Sequence, residues 1–172
     1  AYIADGDGGL VVVDVSDPAN PIREGGYDTS SYARGVVVSG GYAYVADGNG
    51  GLVVVDVSDP ANPIREGGYD TSGYAWGVAV SGDYAYIADG DGGLVVVDVS
   101  RSDERSGGGG CRTRWYAWGV EVNGGYAYVA DGNGGLVVVD VSGPDNPSRG
   151  GGCDTPGSAG GVAGSGEYAY LG

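Results

Sequence analysis

A repeat of 42 residues runs through the whole sequence and limits the available folds more than any other feature. Residues 10–30 recur letter for letter as residues 52–72. The pentapeptide Leu-Val-Val-Val-Asp returns at the same spacing, at 10–14, 52–56, 94–98 and 136–140. Periods of this length are typical of architectures in which each unit buries its apolar surface against the next. We expect one repeat domain with units 1–42, 43–84, 85–126 and 127–168, and with 169–172 beginning a fifth.

Within one unit the residue pattern predicts four antiparallel strands and no helix. In the second copy, strands at 76–80, 84–88 and 94–99 are separated by short turns rich in Gly, Asp and Ser. A corner at 58–63 contains two Pro and opens a weaker outer strand at 64–69. The predicted unit is therefore a four-stranded meander.

The third strand carries apolar side chains on both faces, because Leu-Val-Val-Val-Asp-Val does not alternate with polar residues. A sheet with one face in water would not tolerate this pattern. Radial stacking covers both faces and suits a period of about 40 residues with four strands per repeat. We predict an all-β protein, a β-propeller of four 42-residue repeats that form four blades or part of a larger ring or assembly. A β-solenoid is the competing fold, but its coils are usually shorter.

At these residues the chain resembles the LVIVD-repeat family, whose motif is present with Val in place of Ile. The Tyr-Ala-Tyr-Val-Ala-Asp strand at 42–47, the Asp-Val-Ser-Asp-Pro turn at 56–60 and the Tyr-Asp-Thr segment at 69–71 match as well. The resemblance implies a propeller found mostly in exported or surface-attached proteins of bacteria and archaea, without one defined activity. We therefore expect an extracellular or cell-surface protein.

The composition excludes several classes of function. The chain has no Lys, His, Phe, Met or Gln, so Ser-His-Asp triads, Schiff-base lysines and His-based zinc sites are impossible. A net charge of -15 disfavours binding to nucleic acid. The longest apolar run, residues 10–13, is far shorter than the roughly 20 residues of a membrane span. We expect no enzyme activity and no cofactor.

The two ends of the sequence belong to the same part of the repeat. Residues 1–4 read as the middle of a strand, and residues 169–172 repeat them. We expect a processed product or a segment of a longer chain. The terminal strand would fill a gap in its own ring or in that of a neighbouring copy, and the second arrangement gives dimers or fibres.

The first residue of the predicted innermost strand differs among the copies, and it is followed by a Gly in every unit. The repeated Gly is expected to let backbones approach closely near the axis. The varied position and the aromatic residue two places earlier form a candidate face for a glycan or a peptide. Packing between blades is the alternative, which we prefer. The candidate residues are Tyr32, Arg34, Tyr74, Trp76, Tyr116 and Trp118.

The turns after the second strands place side-chain oxygens at alternate positions, as calcium loops do, but they lack a distal bidentate Glu. Asp-Gly and Asn-Gly are also the residues that a hairpin turn requires, and this plain reading is preferred. A calcium site remains the weaker hypothesis. Its residues are Asp5, Asp7, Asp47, Asn49, Asp89, Asp91, Asp131 and Asn133.

Three further features call for structural explanations. The Asp that ends each Leu-Val-Val-Val-Asp is expected to accept backbone N–H groups in a turn rather than to act in catalysis. Cys111 and Cys153 lie one period apart in adjacent blades, so they should not pair with each other, and we expect two free or externally paired thiols. The third unit carries Arg at 101, 105, 112 and 114 beside four Gly, which indicates a flexible outer loop or a cationic patch for an acidic neighbour, and we prefer the loop.

Together these features favour a non-enzymatic extracellular or cell-surface propeller, structural or adhesive, that binds copies of itself or other surface components. A glycan- or peptide-binding propeller is one alternative. A hydrolase that uses only Asp and Glu is a second, and the repetition of the same carboxylate in every unit argues against it.

Overall fold

The computed structural model describes residues 1–101 and 106–172, and every regular element in these ranges is a β-strand. The predicted all-β class is confirmed, and the predicted strands at 84–88 and 64–69 have the observed bounds. The strands are β1 (Tyr2–Ala4), β2 (Leu10–Asp14), β3 (Ile22–Tyr27), β4 (Gly35–Ser39), β5 (Tyr42–Ala46), β6 (Leu52–Asp56), β7 (Ile64–Tyr69), β8 (Gly77–Ser81), β9 (Tyr84–Ala88), β10 (Leu94–Asp98), β11 (Gly107–Cys111), β12 (Gly119–Asn123), β13 (Tyr126–Ala130), β14 (Leu136–Asp140), β15 (Ser148–Cys153), β16 (Val162–Ser165) and β17 (Tyr168–Leu171).

The strands form five antiparallel sheets in which sequence neighbours pair. We name them sheet I (β1–β3), sheet II (β4–β7), sheet III (β8–β11), sheet IV (β12–β15) and sheet V (β16–β17). Sheets II to IV have four strands each, with the first strand innermost and the fourth outermost. Because tight Gly-containing turns join the first strand to the second and the second to the third, these strands fold locally into a meander.

The third strand of each sheet is buried on both faces, as its composition predicts. In β6, Val53 and Val55 face the core between sheets I and II. Leu52 and Val54 alternate with them and face the core between sheets II and III. A third core lies between sheets III and IV. Successive sheets therefore stack face to face as the blades of a propeller.

The innermost strands approach each other closely through their first residues. Strand β4 packs on β8, β8 on β12, and β12 on β16. A Cβ atom added at Gly77 would lie 3.1 Å from the carbonyl oxygen of Trp118, a backbone atom of the next sheet. The same relation holds between Gly35 and Trp76. The predicted role of these glycines in close backbone approach is confirmed.

The outer strands carry a bulge, and one of them corrects a prediction. The register of β6 and β7 shifts between Val54 and Val55, because a six-residue strand faces a five-residue one. In the third unit the sequence favours a flexible loop, but Gly107–Cys111 forms an outer strand on β10. Backbone pairing suffices for this strand, since a ladder does not require side chains. Arg105 lies outside the described residues.

The repeated carboxylates at the end of the third strands stabilise turns, as predicted. Asp56 Oδ1 accepts a hydrogen bond from the Ser58 amide at 2.8 Å. This backbone hydrogen bond, together with one from the Ser58 side chain, lowers the pKa of Asp56. Ser amides donate in the same way to the equivalent residues Asp14, Asp98 and Asp140.

Both cysteines are free, Cys111 partly buried and Cys153 exposed. Burial raises the pKa of the Cys111 thiol. Within the two described ranges, no helix is long and apolar enough to cross a bilayer.

The ring is open between sheets I and V. Sheet I lacks the innermost strand that β4 provides in sheet II, and sheet V has only the inner two strands. Within the described residues, each sheet packs extensively on its sequence neighbours, whereas sheets I and V make no extensive contact with each other. Each complete sheet spans parts of two sequence units, since sheet II runs from Gly35 to Tyr69.

Candidate functional site

A short bridge between repeats positions the candidate aromatic residues. Ala75 is buried and forms an isolated antiparallel bridge with Gly48 of the preceding turn. Gly48 has a φ of 53°, a value that residues other than Gly rarely adopt. Because side chains alternate in extended backbone, Tyr74 and Trp76 both point away from the face on which Ala75 is buried. The same bridge fixes Ala33 and Ala117.

The candidate side chains of three repeats form one continuous aromatic row. The ring centroids of Trp76 and Trp118 lie 4.2 Å apart. Tyr74 packs on Trp76 at 4.8 Å and Tyr116 on Trp118 at 5.5 Å, with tilted rings in each pair. These are favourable geometries for aromatic pairs. The structure therefore brings together the candidate residues of the second and third copies.

Arg34 continues the row into the first copy. Its guanidinium carbon lies 4.7 Å from the Trp76 centroid and 5.1 Å from that of Tyr32. Its Nε and Nη2 atoms both donate to the Tyr74 hydroxyl at 3.3 Å. The cation is thus held against the faces of aromatic rings, an arrangement favourable for Arg. The row comprises Tyr32, Arg34, Tyr74, Trp76, Tyr116 and Trp118.

These contacts favour packing over ligand binding in the middle of the row. Trp76 lies between Tyr74, Arg34 and Trp118, so its ring faces are already occupied. Its indole nitrogen is buried, and no described residue forms a hydrogen bond with it. The row ends in the fourth copy, where Gly160 stands in place of an aromatic residue. Trp118 therefore has no aromatic partner on that side.

The Asp-Gly and Asn-Gly turns join successive repeats through their first carboxylate. Asp89 is fully buried and accepts hydrogen bonds from the Thr71 hydroxyl and the Gly73 amide. Burial raises its pKa, and these two hydrogen bonds oppose the rise. Asp47 accepts in the same way from the Ser31 amide. The carboxylates of Asp47 and Asp89 thus fasten their turns to the segments that enter sheets II and III.

The second oxygen-bearing residue has other surroundings in three of the turns. A hydrogen bond to Asp7 and the charge of Asp7 raise the pKa of the Tyr32 phenol. Asp91 and Asn133 line a cleft in the third repeat. Among the described residues, no three acidic or Cys side chains are grouped as a metal site requires. The calcium hypothesis gains no support from these contacts and stays a prediction.

Comparison with known proteins gives a family for this arrangement of repeats. The sequence model of the LVIVD repeat matches the chain five times, over residues 1–29, 30–71, 72–103, 115–155 and 156–172. The chain belongs to the LVIVD-repeat family. No curated protein matches it significantly.

Two solved propellers share the fold of this LVIVD-repeat chain at low sequence identity. The crystal structure of the computationally designed Ika8 protein aligns with a TM-score of 0.74 and 10% identity, over 99% of this chain and 51% of that one. The crystal structure of Citrobacter koseri AztD aligns with a TM-score of 0.55 and 16% identity, over 97% and 48%. The chain therefore spans about half the length of either structure.

Sequence reasoning missed a cleft of about 580 Å³ beside the end of the aromatic row. Its wall includes candidate residues Tyr116 and Trp118, but also Trp115, which was not singled out. Arg112 and Arg114 complete one side, where we had preferred a flexible loop. The departure of residues 111–115 from the repeat was the available signal.

Proposed function

We propose that this LVIVD-repeat chain is a non-enzymatic structural module of the cell surface or extracellular space, and that two copies close one ring. The observation that carries the proposal is the exposure of the outward faces of the two end sheets, sheets I and V. Their outward faces are bare, although the same faces are buried between every pair of interior sheets. Apolar surface that is covered elsewhere in the repeat favours a partner with the same repeat.

The bare face of sheet I corresponds to the face that sheet II packs against sheet I. Val15 is 46% exposed, while Val57, its equivalent one repeat later, is 4% exposed. Ile3 is exposed and its equivalents Val45 and Ile87 are buried. Local sequence does not explain the difference, because the residues are the same or similar. The absence of a neighbouring sheet on this face explains the higher exposure.

The opposite face is bare on sheet V. Tyr170 is 60% exposed, whereas Tyr44, at the same position of sheet II, is 7% exposed. Tyr168 is also exposed. Leu136 of sheet IV is only partly buried, while Leu52 and its other equivalents are fully buried. Sheet V leaves it uncovered because the third and fourth strands are absent there.

The strand sets of the two end sheets complement each other. Sheet V supplies an innermost strand, β16, and sheet I supplies the two outer strands, β2 and β3. Residues 169–171 of β17 repeat the sequence pattern of residues 1–3, so either segment can fill the second position. One composite four-stranded sheet then forms between the end of one copy and the start of the next. The contacts within this composite sheet are of the same type as those within each complete sheet.

Turn contacts support the same arrangement. Asp5 is exposed, although its equivalents Asp47 and Asp89 are buried and hydrogen-bonded to the segment entering their sheets. A cavity of about 330 Å³ lies beside the segment entering sheet V, lined by Gly157 and Gly172 among others. In the composite sheet, the turn carrying Asp5 of one copy would fill this cavity in the other. The Gly157 amide would then donate to Asp5, as the Gly73 amide does to Asp89.

Two copies are the number that closes the ring. The interface is head-to-tail, and such interfaces form rings when the rotation closes and filaments when it does not. The chain covers 51% and 48% of two solved propellers. In this proposal each copy contributes half a ring, and two identical head-to-tail interfaces complete it.

The non-enzymatic role and the location are parts of the same proposal. The repeated carboxylates are used for turns and for joining repeats, which supports a structural role. The location follows the common occurrence of this family in exported proteins. A screen of glycosidic and ester substrates that finds turnover would contradict the proposal.

Light scattering coupled to size-exclusion chromatography tests the assembly. The 172-residue chain has a mass of 17.1 kDa, and we expect a particle of twice that mass. Tyr170→Asp places a charge on the bare face of sheet V and should leave a folded monomer. Ile64→Asp is the matched control, because Ile64 is equally exposed but lies on the outer rim of sheet II. It should remain assembled.

A parent chain that is monomeric at all concentrations would refute the assembly, and so would growth into long polymers. If Ile64→Asp dissociates the particle as fully as Tyr170→Asp, the bare faces are not the interface. Circular dichroism of each variant confirms that the strands are retained.

A further inference from the structure

We infer that the cleft of the third repeat binds an acidic oligosaccharide containing uronic acid residues. The cleft lies at the segment entering sheet IV and is bounded by Arg112, Arg114, Trp115 and Tyr116. It shares Ser158 with the cavity beside sheet V, and its other lining residues lie outside the bare faces of sheets I and V. The inference therefore does not rest on the assembly of two copies.

The cleft residues are the places where the third repeat departs from the others. Arg112 replaces an Asp that the other three copies carry, at 28, 70 and 154. Arg114 stands where the second copy has Ser72, and Trp115 stands where it has Gly73. The first two copies are identical up to the Ser that aligns with Arg114, and the third copy replaces this segment with cationic and aromatic side chains. All three changes line the same cleft.

The backbone that carries these side chains is held by a buried carboxylate. Asp131 is fully buried and accepts hydrogen bonds from the amides of Arg114 and Trp115 at 3.2 Å. The Trp115 ring lies over Gly134, where an added Cβ would fall 2.7 Å from its Cδ1 atom. The site is therefore organised before a ligand arrives, which reduces the entropy lost on binding.

Trp115 and Tyr116 present exposed aromatic faces to the cleft. Trp115 is 47% exposed and Tyr116 is 36% exposed, unlike the enclosed Trp76. A volume of about 580 Å³ lies within the range of small-molecule sites. The C–H faces of a pyranose ring are apolar and flat enough to stack on an indole or a phenol, while its hydroxyl groups remain free for hydrogen bonds. Asn133 and Ser158 line the cleft and can form hydrogen bonds with these hydroxyl groups.

The charge of the cleft favours an acidic sugar over a neutral one. The chain carries a net charge of -15, yet this cleft has two guanidinium groups and one carboxylate, that of Asp91. Arg forms paired hydrogen bonds with a carboxylate, and its fork geometry matches that group. A uronic acid residue presents a carboxylate on the edge of a stackable ring. A neutral sugar would satisfy the aromatic faces but leave the guanidinium groups without an anionic partner.

Isothermal titration calorimetry with trigalacturonate tests the inference. We expect measurable binding that weakens as salt is added, since exposed charges are screened. The trimethyl ester of the same trisaccharide keeps the rings and loses the charge, and we expect it to bind about 10-fold or more weakly. Triglutamate keeps the charge and lacks the rings, and the same loss is expected. Equal binding of either probe would overturn the assignment.

The repeat itself provides variants that preserve the fold. Arg112→Asp with Arg114→Ser, and separately Trp115→Gly, restore residues that the second copy carries at these positions. Each change should weaken trigalacturonate binding about 10-fold or more while circular dichroism stays unchanged. Arg149→Ser removes an exposed Arg from strand β15, outside the cleft, and should bind like the parent chain. Parent-like affinity in the cleft variants, or no binding by the parent, would refute the site.

Discussion

Ile3 and Ile87 occupy the same position of their repeats, yet Ile3 is 45% exposed and Ile87 is fully buried. Each belongs to a Tyr-Ile-Ala segment of the second strand. Ile87 packs in the core between sheets II and III, whereas no sheet of the described residues covers the corresponding face of sheet I. The pair shows that burial in this fold is set by the adjacent sheet.

This difference predicts unequal effects of the same truncation. In the Tyr170→Asp background, which should be monomeric, Ile87→Ala is expected to lower the free energy of unfolding by about 2–5 kcal/mol. Ile3→Ala should lower it by less than about 1 kcal/mol, since little packing is lost there. Urea denaturation followed by circular dichroism measures both. Equal losses would mean that sheet I is covered in the monomer.

The axial glycines should not accept a side chain. Gly77→Ala places a methyl group 3.1 Å from a backbone oxygen of the next sheet, and we expect a loss of about 1–3 kcal/mol in stability. Gly143→Ala is the control, because nothing lies within 4 Å of the added atom and the first two copies carry Asp there. It should change stability by less than about 0.5 kcal/mol. A stable Gly77→Ala variant would contradict the close approach of the inner strands.

Acid should weaken the turn at Asp56. Hydrogen bonds from Ser58 lower the folded-state pKa of Asp56 below its ordinary value of 3.8. A depressed folded-state pKa contributes stability above the unfolded-state pKa, and this contribution is lost as pH falls through the folded-state pKa. Asp56→Asn keeps an acceptor oxygen but does not titrate. The parent should therefore lose more stability than Asp56→Asn between about pH 6 and about pH 2.5, measured by urea midpoints.

The contacts of Arg34 predict which replacements it tolerates. Arg34→Ala removes a cation from the faces of Tyr32 and Trp76, and we expect a loss of about 1–2 kcal/mol. Arg34→Trp should retain most of the stability, because the equivalent residues Trp76 and Trp118 stack directly on each other. Thermal unfolding of the two variants tests this order. A more stable Ala variant would show that the row does not contribute packing.

Salt should strengthen the assembly of two copies. Each copy carries a net charge of -15, so association brings like charges together. Screening reduces this repulsion, while the apolar contacts of the bare faces are little affected. Light scattering over a range of sodium chloride concentrations is expected to show tighter association at higher salt. Dissociation on adding salt would indicate an interface made by ion pairs instead.

Much of the fold could be predicted because each repeat encodes it locally. Apolar residues on both faces of Leu52–Asp56 require cover on two sides, and the structure provides it. The position of Asp56 before a Ser-Asp-Pro turn predicted its backbone hydrogen bond. The outer strand at Gly107–Cys111 was not predicted, because it is held by pairing with β10 and carries almost no side-chain signal.

The candidate site was predicted less completely. Alignment of the copies identified Trp76 and Trp118 as the varied positions, and these side chains do meet. Their mutual contact, which favours packing in the middle of the row, depends on the spacing of adjacent sheets. Arg112 and Trp115 were noticeable as departures from the repeat, but only the folded chain shows that both line one cleft.

The sequence by itself determined the strand pattern and the turn role of the repeated Asp residues, since these follow from interactions within one repeat. It also predicted the stacking of sheets, because the third strand is apolar on both faces. The tertiary structure decided which copies of a repeated residue are buried and which lie bare, as for Tyr44 and Tyr170. It also decided which altered residues meet in a cleft. The physical reason is that exposure and convergence depend on what the neighbouring sheet supplies, and nearly identical repeats have different neighbours.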